Sequence, residues 1–126
     1  MRLLLDTAAL IFAVESPDRL SRRVQSVLQE PENLLELSVI SLVEIAIKSS
    51  RGKLSFSERT LQQAIDDLDL RILPFTTQHA FHLFDLPPHH RDPFDRQIIA
   101  QALYEKLPVI TSDGKFSLYK GLKVVW

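Results

Sequence analysis

The sequence contains no cysteine, which excludes disulfides and thiolate-bound metals and leaves carboxylates, histidines and backbone oxygens as the available metal donors. It also lacks any apolar run near the ~18 residues that a membrane helix requires. The most apolar segment, Met1 to Val14, is broken by Asp6 where a secretory leader needs an uninterrupted stretch. A soluble, cytoplasmic protein is therefore expected. Positive charge is not in excess either: a formal net charge of −1 and a pI near 6.4 exclude a protein that holds nucleic acid by overall charge. Aromatic residues, at 8%, are too few to imply a base-stacking surface, so Phe81 and Phe84 read as core. Repeats, low-complexity tracts and linkers are missing as well. What remains is 126 residues, 45% hydrophobic and 25% charged, the balance of one globular domain over residues 1–126 with a single core of useful size.

Apolar patterning divides the chain into alternating strands and helices. Arg2 to Leu5 reads as a buried strand feeding a helix over Ala8 to Val14, with Thr7 as its cap. Ser16-Pro17 has the form of a cap with proline at the first helical position, ahead of Leu20, Val24, Val27 and Leu28 at helical spacing. Leu37 to Ile40 is a second strand, Ser41 to Ser50 a helix closed by Gly52, and Leu61, Ile65 and Leu68 mark a further helix after Ser57. A weak strand over Arg71 to Phe75 precedes a helix over Thr77 to Phe84. The helix after Pro93 carries Phe94, Ile98, Ile99, Ala102 and Leu103 on one side, and short strands follow at Pro108 to Thr111 and Leu122 to Val125. Alternation of this kind predicts a parallel sheet covered on both faces and joined by right-handed crossovers.

Ligands of open parallel sheets bind beyond the carboxyl ends of the strands, where strand order reverses. Asp6 and Asp113 each follow an apolar strand, while Glu44 and Asp95 each fall in the first turn expected of a helix. Each acid also has an ordinary explanation. Ser41-Leu42-Val43-Glu44 fits a capping box, Asp92 is a good cap with Asp95 complementing the helix dipole, and Asp113-Gly114 is a common turn pair. Asp6 is harder to explain, because a carboxylate directly after three leucines faces desolvation without an evident partner. No arginine or lysine stands beside Asp6 or Glu44 in the chain. Four converging carboxylates repel one another unless a cation is present, and oxygen-only donors favour Mg²⁺, with Mn²⁺ as its substitute.

Around the acids, Lys48, Arg51, Lys53, Arg96 and Lys115 are candidates for a basic rim. For Lys48, Arg51 and Lys53 a solvated helix end complementing the dipole is an equally good reading. The histidines, His79, His82, His89 and His90, raise a zinc alternative. Their spacing does not favour it, and structural or surface roles are expected.

The segments Leu3-Leu4-Leu5-Asp6-Thr7, Ser41-Leu42-Val43-Glu44, Asp92-Pro93-Phe94-Asp95-Arg96 with Ile98-Ile99-Ala100, and Thr111-Ser112-Asp113 with Phe116 occur in this order along nearly the whole chain. Together they resemble the PIN-domain nucleases, in particular the VapC-type toxins of bacterial toxin-antitoxin pairs. The resemblance implies a three-layer α/β/α sandwich with a short central parallel sheet. It implies that Asp6, Glu44, Asp95 and Asp113 are the metal-binding catalytic acids, with Thr7, Asp92, Thr111 and Ser112 supporting them. It further implies Mg²⁺-dependent cleavage of RNA to 5′-phosphate and 3′-hydroxyl products, a small antitoxin partner and a homodimer. Two rivals remain: a silent RNA- or protein-binding module on the same fold, and a receiver-like Mg²⁺-binding signalling domain. The receiver reading requires paired acids after the first strand and an acid ending the third. Asp6 stands alone, and the third strand runs into Pro74-Phe75.

Overall fold

Residues 1–126 are described by a computed structural model in which five parallel strands form one sheet. The strands are β1 (Arg2–Leu5), β2 (Leu34–Ser38), β3 (Arg71–Leu73), β4 (Val109–Ile110) and β5 (Val124–Val125), in the order β3-β2-β1-β4-β5. Leu5 pairs with Leu37 on one side and Ile110 on the other. The chain thus leaves β1 toward one edge and returns to its other side, which places the reversal of strand order between β1 and β4. Six helices cover the sheet: α1 (Thr7–Glu15), α2 (Arg22–Gln29), α3 (Val39–Ser50), α4 (Glu58–Asp67), α5 (Thr77–Phe81) and α6 (Pro93–Glu105). The parallel sheet that the alternation predicts and the α/β/α sandwich that the resemblance implies are both present.

The core is double. Leu3 and Leu5 of β1 pack with α1, α2 and α4 through Leu10, Val24 and Leu61. Leu4, pointing the other way, packs with Ile98, Ile99 and Ala102 of α6, and with Phe116 and Tyr119. Alternation along a strand buried on both faces makes this division unavoidable, so one core was too simple an expectation. Helix α3 joins the two layers by sending Ile45 into the first cluster and Ile40 into the second.

Local starts differ from the sequence expectations in informative ways. The helix expected from Ser16-Pro17 is a 3-10 turn at Pro17–Arg19 followed by α2, which Ser21 caps by accepting from the Val24 N–H. β2 stops at Ser38, and α3 begins at Val39 with the Ser38 hydroxyl accepting from Ile40 N–H. Strand propensity of Val39 and Ile40 lost to burial of Ile40 against α6. The helix expected to reach Phe84 ends at Phe81, leaving Phe81 and Phe84 65% and 84% exposed rather than in the core. At the amino end of the sheet, buried Glu36 accepts two hydrogen bonds from the Arg2 guanidinium, which compensates its desolvation.

Candidate active site

The Leu5→Asp6 step leaves the sheet at the reversal of strand order. Asp6, not Thr7, caps α1: its Oδ1 accepts from Ala9 N–H at 2.8 Å, and its Oδ2 accepts from the Thr111 hydroxyl at 2.5 Å. Thr111 leaves β4 beside it, so the hydroxyl that sequence reading placed near the last acid serves the first acid as well. The same hydroxyl oxygen accepts from Asp113 N–H. Thr7 turns inward and shares a hydrogen bond with Ser41, tying α1 to α3. Ser112 is exposed at the rim of the pocket.

Because α3 starts at Val39, Glu44 lies in its second turn, out of reach of the unpaired N–H groups of the helix start. The capping-box explanation therefore fails for Glu44. One of its oxygens pairs with Lys48, one turn on. The other, Oε1, is fully buried and has no hydrogen-bond partner. Asp92 caps α6 by accepting from Phe94 N–H at 2.8 Å, and the side chain of Asp95, in the first turn, makes no hydrogen bond within the protein. Asp113 caps the 3-10 turn Gly114–Leu118 by accepting from Lys115 N–H, so the turn reading of this residue describes one of its two oxygens. The other oxygen accepts from His90 Nε2 at 2.8 Å.

Asp6, Glu44, Asp92, Asp95 and Asp113 line a single pocket of about 270 Å³, with Lys48 its one basic side chain. A larger cleft of about 590 Å³ opens elsewhere between Lys106, Lys120 and Lys123 and contains no acid. Electrostatics inside the acidic pocket follow from crowding and burial. Burial first, then the charges of Asp113 and Glu44, push the Asp6 carboxyl up to about 6 despite the opposing hydrogen bonds from Thr111 and Ala9. Asp95 is likewise raised to about 6 by desolvation and by Asp92 and Glu44. Desolvation acts in the same sense on Asp113, but the hydrogen bonds from His90 and Lys115 outweigh it and hold that carboxyl below its ordinary value. The bond to Glu44 raises the Lys48 ammonium.

His90 is the residue that sequence reading missed. It is buried, and one donor atom each from His90, Asp95 and Asp113 lie within 4.8 Å of one another. Its place in a proline-rich loop gave no periodicity to read; the only available signal was its proximity to the Asp92-Pro93 helix start. Among the other histidines, His79 is fully buried, accepts from the N–H of Thr76, the cap of α5, and pairs with Glu105, while His82 and His89 are exposed and meet aromatic edges. Arg96 is not a free rim cation. Its guanidinium donates to the carbonyls of Leu86, Pro87 and His90, fastening the loop that carries His90. Arg51, Lys53 and Lys115 are exposed, and Lys48 is half-buried in the pocket itself.

The sequence model of the PIN domain matches residues 3–122, a span that includes all of these acids. The chain belongs to the PIN-domain family. Solved structures with the PIN fold include VapBC2 of Rickettsia felis bound to a DNA fragment from the promoter, at a TM-score of 0.71 and 21% identity, covering 99% of this chain and 98% of that one. DNA-bound VapBC of Salmonella typhimurium gives a TM-score of 0.72 at 20% identity, covering 99% and 97%. FitAcB of Neisseria gonorrhoeae gives 0.62 at 22% identity, covering 100% and 97%. Comparison of the sequence with curated proteins gives no match. No helix of this PIN domain is long and apolar enough to cross a membrane.

Proposed function

We propose that this PIN domain, acting as one unit over residues 1–126, is a metal-dependent endoribonuclease and the toxin of a VapC-type toxin-antitoxin pair. The observation that carries the reading is Glu44 Oε1: a fully buried carboxylate oxygen without a partner, on a residue that lines a pocket of five acids. Leaving such an atom unpaired is costly, and a cation would satisfy it. The donors are all oxygens, which suits Mg²⁺ or Mn²⁺. Asp6, Glu44, Asp95 and Asp113 would hold the ion. When bound, it supplies Lewis acidity toward a phosphodiester and lowers the pKa of a water at neutral pH.

The chain's own groups divide the remaining work. Asp6 and Asp113 are each fixed through both oxygens, so they hold their direction before any ligand arrives. The Asp95 carboxylate and Glu44 Oε1 have no hydrogen-bond partner in the protein and are open to a ligand. Lys48 brings a positive charge to the pocket mouth, where it can meet a phosphate oxygen. A small antitoxin partner and a homodimer complete the proposal; both rest on the likeness to toxin-antitoxin complexes and on the sequence resemblance.

The decisive experiment is incubation of the purified protein with RNA in Mg²⁺, Mn²⁺ and excess EDTA. Cleavage in either metal and none in EDTA is expected, with 5′-phosphate products; undiminished cleavage in EDTA would sink the proposal. Neutralising Lys48, Arg51 and Lys53 together is expected to weaken RNA binding and lower the slope of log affinity against log salt by about 1.4 on single-stranded RNA, the share of two contacts rather than three. Lys48 contributes less because it already faces Glu44, whereas Arg51 and Lys53 are exposed. An unchanged slope would make all three bystanders.

A further inference from the structure

A continuous run of hydrogen bonds crosses the pocket. The Tyr119 hydroxyl lies 2.9 Å from His90 Nδ1, and His90 Nε2 lies 2.8 Å from Asp113 Oδ2. Asp113 N–H donates to Thr111 Oγ1, Thr111 donates to Asp6, and Asp6 accepts from the start of α1. A carboxylate only accepts, so Nε2 carries its proton toward Asp113 whatever the charge of the ring. The imidazole is held on every side. It stacks on Tyr119 with ring centroids 5.6 Å apart and meets the edge of Phe116 at 5.0 Å, while Arg96 fixes its backbone carbonyl.

We propose that His90 is a positioning residue for the metal site, fixing the direction of the Asp113 carboxylate through Nε2–H and being fixed in turn by Tyr119. This rests on the nuclease reading. A direct ligand role fits less well, because both ring nitrogens are already engaged and coordination through Nε2 would break the bond to Asp113. Positioning leaves the second lone pairs of the Asp113 oxygens for the ion. Groups that orient ligands in this way typically control metal affinity by about 10–100-fold. The His90-Arg91-Asp92-Pro93-Phe94-Asp95-Arg96 string then acquires a division of labour: His90 aims one acid, Asp92 starts the helix, Asp95 faces the ion, and Arg96 holds the loop.

The test is Mn²⁺ titration by calorimetry, without RNA, on the parent and on His90→Ala, His90→Gln and Tyr119→Phe, with melting in EDTA as a control for folding. His90→Ala is expected to weaken Mn²⁺ binding by about 10–100-fold, and His90→Gln to recover part of the loss, since its amide can donate to Asp113. Tyr119→Phe keeps the buried ring and removes one hydroxyl, so it guards against a simple folding defect. It should weaken binding in the same direction by a smaller factor. ¹⁵N-resolved NMR of the metal-free parent should show the proton on Nε2. Parent-like affinity in His90→Ala, or unchanged or tighter binding in Tyr119→Phe, would overturn the assignment. Parent and variants that bind Mn²⁺ in the expected order while the parent cuts no RNA would leave His90 in this role and defeat the nuclease reading. A parent that binds no Mn²⁺ overturns both.

Discussion

Asp6→Asn is expected to abolish RNA cleavage while leaving the metal-free protein as stable as the parent or more so. Asparagine caps a helix about as well as aspartate, so the bond from Ala9 N–H survives the substitution. What disappears is a negative charge that the fold holds at a cost. Raising a carboxyl from 3.8 to about 6, a net shift that already includes the opposing bond from Thr111, corresponds to roughly 3 kcal/mol at neutral pH. The sign follows from the direction of the shift. A raised folded pKa means that this contribution to stability is fully present below about pH 4 and is lost as pH rises through about 6. The advantage of Asp6→Asn in EDTA should therefore be largest near pH 7.5 and vanish toward pH 4. In the proposed nuclease the charge acts in the opposite sense, since losing a carboxylate that holds the metal would remove several kcal/mol of transition-state stabilisation, on the order of a thousand-fold in rate. Thermal melts in EDTA and in Mg²⁺, beside a cleavage assay, read both effects. A variant that melts far below its parent in EDTA yet still cuts RNA would return Asp6 to a purely structural role.

The second large effect is the pH dependence of metal binding. Asp6 and Asp95 both titrate near 6 in the metal-free protein and interact, so they lose protons as a coupled pair. At the proposed metal site a cation requires both ionised. Lowering the pH from 7.5 to 5 should weaken Mg²⁺ or Mn²⁺ binding by roughly 100-fold, about tenfold for each carboxyl held one unit below its pKa. Near pH 6, binding should release on the order of one proton, which calorimetry in two buffers of different ionisation enthalpy measures directly. Asp113, held below its ordinary value, stays ionised through this window and contributes nothing to the slope. An affinity that is flat between pH 5 and 7.5 would mean that the raised acids are not the ones that hold the ion.

Much of the arrangement was legible before any tertiary contact was known. Leu3-Leu4-Leu5 followed by Asp6 announces a strand buried on both faces with an acid at its end, because three consecutive apolar residues leave neither face for water. Ser57 and Asp92-Pro93 mark their helix starts correctly, since capping chemistry is local. The reading failed where two local rules competed. Ser41-x-x-Glu44 satisfies the capping-box pattern, yet Ser38 begins the helix three residues earlier because burying Ile40 is worth more than extending a strand. Phe81 and Phe84 have core chemistry, but Phe81 is the last residue of α5 and Phe84 lies beyond it, and nothing local says that the helix stops there.

An α/β architecture with a parallel sheet, the absence of thiol chemistry, and acids at strand and helix ends are all legible in the chain. Those properties follow from period, composition and capping, which act over a few residues. Which acids are satisfied and which are not emerges from contacts between distant segments. Asp6 and Asp113 are bonded at both oxygens, Glu44 keeps one buried oxygen without a partner, and His90 enters the site from 23 residues before Asp113. Hydrogen bonds of that kind depend on where strand order reverses and how two helix layers meet, and neither is written in any local stretch of the chain.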